Sequence, residues 1–239
     1  MSRVNNFGQP IGDAVLDWRP PIAPPRVPLS GARCELEPLD LDRHGDALFE
    51  ANERGDGSNW TYLFSEPPKT RDAYLQYMAA SFTGADPFCY AIVEKATGRA
   101  VGVASYMRIV PEYGCIEVGH INFSPALQRT PIATEAMYLM MRHVFELGYR
   151  RYEWKCDSLN APSRAAAQRL GFSFEGVFRK AIVYKGRNRD TAWYATTIDD
   201  WPTVRGAFEQ WLEPGNFDAH GAQRVQLRWL TTPLLRARG

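Results

Sequence analysis

Residues 115–147 read CIEVGHINFSPALQRTPIATEAMYLMMRHVFEL, and their pattern decides the fold. Positions 115–123 alternate apolar and polar side chains as a strand does, until Pro125 breaks the run. Past that proline the apolar period lengthens from about two to about 3.6 residues. Ala133, Ala136, Met137, Met140, Val144 and Leu147 then form one helical stripe, with Gly148 placed to cap its end. A helix fed directly by a strand exposes unpaired backbone N–H groups at the positive end of its dipole, which suits a phosphate. The connecting loop is Gln128-Arg129-Thr130-Pro131-Ile132-Ala133-Thr134-Glu135-Ala136. Thr130 as N-cap with Pro131 in the first helical position also describes an ordinary helix start, so both readings stand at this point.

Working outward, alternation predicts strands over 33–39, 88–94, 100–109, 152–157, 174–184 and 190–197, and helices over 41–53, 71–82, 161–170 and 201–212. The order is βααβββαβαββ, which implies a mixed α/β sheet with helices packed against it. Six prolines among the first thirty residues (Pro10, Pro20, Pro21, Pro24, Pro25, Pro28) read as an extended arm that either wraps the domain or stays mobile. The expected organisation is an arm over 1–30, a mixed α/β domain over 31–199, and a C-terminal helix and patternless tail over 200–239.

With 239 residues, 45% of them apolar, the chain can bury a sizeable core. Twenty-eight basic against 27 acidic residues leave a formal charge of +1, which argues against a nucleic-acid or membrane-surface partner and for a small molecule or short peptide. Cys34, Cys89, Cys115 and Cys156 lie far apart without metal-ligand spacing. Reduced thiols in a cytoplasmic, metal-free protein, monomeric or homodimeric, are the expectation.

The loop with Gln128 and Ala133 at its ends resembles the pyrophosphate loop Q/R-x-x-G-x-G/A of the GNAT superfamily of acetyltransferases. The Ala133-Thr134-Glu135-Ala136 run that follows resembles the branch of ribosomal-protein N-terminal acetyltransferases, the RimJ/RimL type. A second element, Asn160-x-x-Ser163 leading to Leu170-Gly171-Phe172, resembles the family's N-x-x-S…GF; Glu175-Gly176 and Arg179 resemble the start of its next strand. The resemblance covers roughly 33–197 and implies a GNAT-like acyl-CoA N-acyltransferase fold, one central mixed sheet with helices on both faces. It departs at Pro131, where the family has its first loop glycine: proline offers no N–H and hinders close backbone approach.

The resemblance implies acetyl transfer from acetyl-CoA to an amine by direct attack in a ternary complex, with a noncatalytic acyl-CoA-binding module as the alternative. It places Gln128, Arg129, Thr130, Ile132, Ala133 and Thr134 at the diphosphate. A backbone N–H among Ile121, Asn122 and Phe123 would hold the oxyanion, and Asn160 would contact the pantetheine or the acceptor. Glu117 is the first choice for general base, or else a salt-bridged strand residue. His120, three positions on and so expected on the opposite face of the strand, is the second candidate, ranked below Glu117 because a lone strand histidine is more often structural. The family's thiolate-protonating tyrosine is replaced by Ala167, leaving Ser163 as the substitute acid or a helix first-turn residue. Trp60, Tyr62 and Phe64 are candidates for the acceptor pocket or for core. Arg187 and Arg189 are read as solvated turn residues that an acidic acceptor or a CoA phosphate would otherwise engage.

Overall fold

A computed structural model describes residues 3–239. The elements in chain order are β1 (Arg3–Val4), β2 (Pro10–Ile11), β3 (Leu29–Ser30), β4 (Cys34–Pro38), α1 (Leu41–Glu53), α2 (Arg71–Phe82), β5 (Phe88–Glu94), β6 (Arg99–Val110), β7 (Cys115–Phe123), α3 (Pro131–Glu146), β8 (Arg151–Asp157), α4 (Ala161–Arg169), β9 (Ser173–Tyr184), β10 (Arg187–Thr197), α5 (Trp201–Leu212) and α6 (Leu227–Thr231). Eight strands form one sheet in the order β3-β4-β5-β6-β7-β8-β10-β9, and β1 pairs with β2 apart from it.

Only β7 and β8 run parallel within the main sheet; every other neighbouring pair is antiparallel. Alternation then distributes side chains to two cores. Tyr106, Ile116, Val118, Tyr152 and Trp154 face α3 and α5, whose Met137, Met140, Val144 and Phe208 complete the larger cluster. Cys89, Ala91, Val93 and Val103 face α1 and α2, packing on Leu48, Tyr74, Met78 and Phe82. The helices therefore occupy both faces, as the resemblance implied. No helix among the described residues is long and apolar enough to cross a membrane.

The N-terminal arm wraps the sheet. Leu29 and Ser30 add an edge strand, the Tyr90 hydroxyl donates to the Val27 carbonyl at 3.1 Å, and Arg26 stacks over the Phe88 ring. Its anchor is Glu135 of α3, a buried carboxylate that accepts the N–H groups of Ala32 (3.0 Å), Arg33 (2.7 Å) and Cys34 (2.9 Å). Gly31 lies so close that a Cβ there would meet Glu135 Oε2 at 2.6 Å.

The tail beyond α5, patternless in sequence, is integral to the fold. Leu227 and Thr231 are buried, Asn216 ties the Trp211 and Val225 carbonyls together, and the Ala237 carbonyl accepts from the Phe174 N–H. This segment has few apolar residues at helical spacing because its contacts are mostly hydrogen bonds of turns, which leave no periodic trace.

Candidate functional site

The parallel pair that begins the site does not stay closed. β7 and β8 are in register from Cys115↔Arg151 to Val118↔Trp154, but β7 continues to Phe123 and β8 to Asp157 without pairing to each other. A bulge in the pairing of β7 with β6, between Gly119 and Asn122, accompanies the separation, with His120 at φ +49°. The gap opens into a cavity of about 1110 Å³, somewhat above the usual size of a small-ligand site. It is bordered at one end by the start of α3 and at the other by the loop after α1 and the β9–β10 hairpin.

At the α3 end, the chain folds back tightly after the strand. Gly102 permits it, since a Cβ there would meet Leu127 Cδ2 at 2.6 Å and the Asn122 carbonyl at 3.0 Å. Gln128 donates through Nε2 to the Phe123 carbonyl at 2.8 Å, so its side chain fastens the loop to the strand it leaves. Arg129 adopts the left-handed region at φ +61°. Thr130 caps the helix by accepting the Ala133 N–H at 3.2 Å. With Pro131 lacking an N–H, Ile132 is the one residue of the first helical three, among the described residues, whose amide is uncommitted.

A second donor stands beside that amide. Arg169, the last residue of α4, borders the cavity and gives one hydrogen bond, to Thr134 Oγ1 at 3.1 Å. No carboxylate among the described residues lies within ion-pair distance of it, and burial pulls its guanidinium below the usual arginine range. Gln226, Leu227 and Arg228 of the C-terminal tail border the cavity too. Arg169 was not legible beforehand, because a basic residue in a last helical turn is expected from the helix dipole alone.

The middle of the cavity carries the second motif. Asn160 caps α4 by accepting the Ser163 N–H at 3.1 Å, and Ser163 Oγ accepts the Trp154 indole N–H at 3.0 Å. The Ser163 hydroxyl proton is thereby left free to point elsewhere. Ala167 is fully buried in the core and does not border the cavity, whereas Ala165 and Ala166 do. Ile121 and Phe123 border the cavity; Asn122 does not, its side chain being turned to Asn59 Nδ2 at 2.8 Å.

Glu117 is 2% exposed and ion-paired on both oxygens. Arg108 binds it through Nε at 2.6 Å and Nη2 at 2.7 Å, and Lys155 Nζ lies 2.8 Å from Oε2. Lys155 also contacts Glu153 at 2.7 Å and sits 3.7 Å over the Trp193 ring. Burial works to raise the Glu153 carboxyl, but hydrogen bonds from Arg151 and Lys155 prevail and hold it below the usual range. Of the two readings of Glu117, this geometry is the salt-bridged one.

His120 is not on the opposite face from Glu117, as strict alternation required. The β7 bulge shifts the phase, and its ring meets Phe82 of α2 edge-on at 5.0 Å on the Glu117 side. Burial, reinforced by Arg108, lowers its pKa, so the imidazole is neutral near pH 7. Trp60 belongs to the core, while Tyr62 and Phe64 border the cavity, Tyr62 donating to the Leu159 carbonyl at 3.1 Å. Arg187 binds the Thr61 carbonyl at 3.0 Å; Arg189 is buried, contrary to its reading as a solvated turn residue.

A mixed sheet split between two parallel strands, with a helix N-terminus at the mouth of the split, defines an acyl-CoA-dependent acyltransferase fold. The family model described as an acetyltransferase (GNAT) domain matches residues 33–173, and the chain belongs to that family, as an acetyl-CoA-dependent N-acetyltransferase. A GCN5-related N-acetyltransferase from Brucella melitensis is 43% identical over 91% of this chain and 99% of its own, with a TM-score of 0.89. An acetyltransferase of the GNAT family from Chromobacterium violaceum, also 43% identical, aligns over 81% of this chain and 98% of its own (TM-score 0.76). RimL, a ribosomal L7/L12 α-N-protein acetyltransferase solved with coenzyme A, shares the fold at 22% identity over 72% of this chain and 99% of its own (TM-score 0.61). No curated protein matches the chain in sequence.

Proposed function

We propose that the protein acetylates an α-amine-type nitrogen, one of low pKa, by direct attack on acetyl-CoA in a ternary complex. One observation carries this: a single cavity joins the α3 N-terminus and Arg169 to His120 through the gap between β7 and β8. The residues fit the co-substrate. Ile132 N–H and Arg169 offer donors for a diphosphate, with Arg169 standing in for the amide that Pro131 lacks, and the unpaired edges of β7 and β8 border a slot for the pantetheine arm. The acetyl thioester supplies the electrophile.

The remaining steps fall to this chain's own groups. The amine nitrogen bonds to the acetyl carbon, the carbon–sulfur bond breaks, and the nitrogen loses a proton. A backbone N–H at Ile121–Phe123 faces the developing oxyanion. His120, neutral and bordering the cavity, is the proton acceptor. Glu117 acts as a positioning residue, because Arg108 and Lys155 between them occupy both of its oxygens. Ser163, already accepting from Trp154, donates a hydrogen bond that steadies the departing thiolate, which leaves readily as a weak base and takes its proton from solvent. A weak base suits an α-amine near pKa ~8 and serves a lysine-type amine near ~10.4 poorly.

The test is thiol release from acetyl-CoA with paired α-amines and lysine-type amines across pH 5.5–9. The expected result is preference for α-amines, a His120→Asn loss of about 100-fold, and a Glu117→Gln loss equal on both classes. A larger Glu117→Gln loss on the high-pKa amines would restore it as the base. Coenzyme A binding without turnover on any amine would instead leave a binding module.

A further inference from the structure

The β9–β10 hairpin places at one end of the cavity a cation that no carboxylate among the described residues contacts. Arg189 is 6% exposed and borders the cavity just beyond the carboxyl end of β8, where β10 begins to pair with it at Thr191↔Asp157. Its one side-chain hydrogen bond among the described residues runs from Nε to Thr191 Oγ1 at 3.2 Å, which leaves the two terminal nitrogens uncommitted. The guanidinium lies in a corner of two aromatic rings, 5.5 Å from the centre of Phe64 and 5.8 Å from that of Tyr184, themselves 5.6 Å apart.

The other charges at this end are committed. Asp157 accepts the Leu159 N–H through Oδ1 at 2.9 Å and the Tyr184 hydroxyl through Oδ2 at 2.8 Å. Arg108 is paired with Glu117, Lys185 with Glu66 and the Trp60 carbonyl, and Asp190 accepts the Lys180 N–H. Among the described residues no carboxylate comes within 4.0 Å of Arg189. A buried guanidinium without a counter-ion is unfavourable, and its planar fork matches a carboxylate in two parallel hydrogen bonds.

We propose that Arg189 is the acceptor-recognition residue and that the amine substrate carries a carboxylate, held by this fork with Phe64 and Tyr184 flanking it. The proposal rests on the acetyl-transfer reading above and names its substrate class: an α-amine bearing an acidic group, as in an acidic amino acid or a peptide with an acidic residue near its free N-terminus.

The experiment compares acceptors that differ only in this group: the dipeptide amides Ala-Glu and Ala-Gln, and the α-amides of glutamate and glutamine. Thiol release should give a kcat/KM about 20-fold higher for the carboxylate member, carried by KM, as expected for a hydrogen-bonded charge. Arg189→Gln should bring the ratio to about one, and Arg189→Lys should keep part of it. The arm with the larger ratio identifies peptide or single amino acid as the source. A ratio near one in the unaltered protein, or one that Arg189→Gln leaves intact, overturns the proposal. Coenzyme A binding, followed calorimetrically, shows whether each variant is folded. Should thiol release fail on every amine, thermal shift of the coenzyme A complex by the α-amide of N-acetyl-Glu against that of N-acetyl-Gln reads the same fork. Selective stabilisation by the N-acetyl-Glu amide, lost in Arg189→Gln, supports the carboxylate site although acetyl transfer has failed; no selectivity overturns it.

Discussion

Two sets of charge at the cavity are balanced in opposite ways. In the sheet, Glu117, Glu153, Arg108 and Lys155 form a closed network in which each carboxylate faces a cation at 2.6–2.8 Å. At the rim, Arg169 and Arg189 each have one neutral hydroxyl as side-chain partner and no carboxylate among the described residues. The first set is neutral without a ligand and holds the splayed strands in place. The second has no such counter-charge, and its two members are the ones proposed to meet the diphosphate and the acceptor's carboxylate. Charges that neutralise one another do structural work; charges left over mark where anions bind.

The contrast is broken most severely at its centre. Replacing Lys155 by Met leaves the buried Glu117 and the half-buried Glu153 with less of their counter-charge, and the loss of a single partner from such a network costs about 3–5 kcal/mol. Urea unfolding should show that loss; a change below about 1 kcal/mol would mean the network is not structural. The acid limb of stability carries the same signature. Glu153 is held below its usual pKa in the folded protein, so its contribution is present above the unfolded value near ~4.3 and disappears as pH falls through the lower folded value. Lys155→Met should shrink that acid-dependent component.

Arg169→Met should act in the reverse sense. Removing an unpaired half-buried cation in favour of an apolar side chain leaves the free protein as stable or more so, while coenzyme A affinity falls about 30-fold, roughly 2 kcal/mol. Calorimetric titration with coenzyme A and urea unfolding of the same variant measure the two effects. Lower stability together with unchanged affinity would move Arg169 from the ligand set to the structural one.

How legible each set was follows from the range of its contacts. The strands and helices of the domain rest on local periodicity, and β5, β7, α1, α2 and α5 run over the predicted residues. The split between β7 and β8 was legible through two motifs, Gln128–Ala133 and Asn160–Phe172, because each sits in one strand–loop–helix unit. Glu117 was picked out, but its partners Arg108 and Lys155 come from neighbouring strands, so only sheet order could reveal them. His120 was put on the wrong face because a bulge costs one residue of register without altering local alternation. Arg189 passed for a solvated turn residue because the turn lies at Lys185–Gly186 and β10 begins earlier than alternation indicated.

The smallest expected effect is also the sharpest comparison of the two ends of the α3 helix site. Pro131→Gly restores an N–H beside Ile132 but removes a proline suited to the first helical position. If Arg169 already supplies the donor that the loop lacks, the added amide should change coenzyme A affinity by no more than about 3-fold, less than one ordinary neutral hydrogen bond. In the Arg169→Met background the same substitution should matter more, because the loop amides then carry the diphosphate alone. A double-mutant cycle on coenzyme A binding measures that difference, and strict additivity would show that residue 131 and Arg169 serve different parts of the ligand.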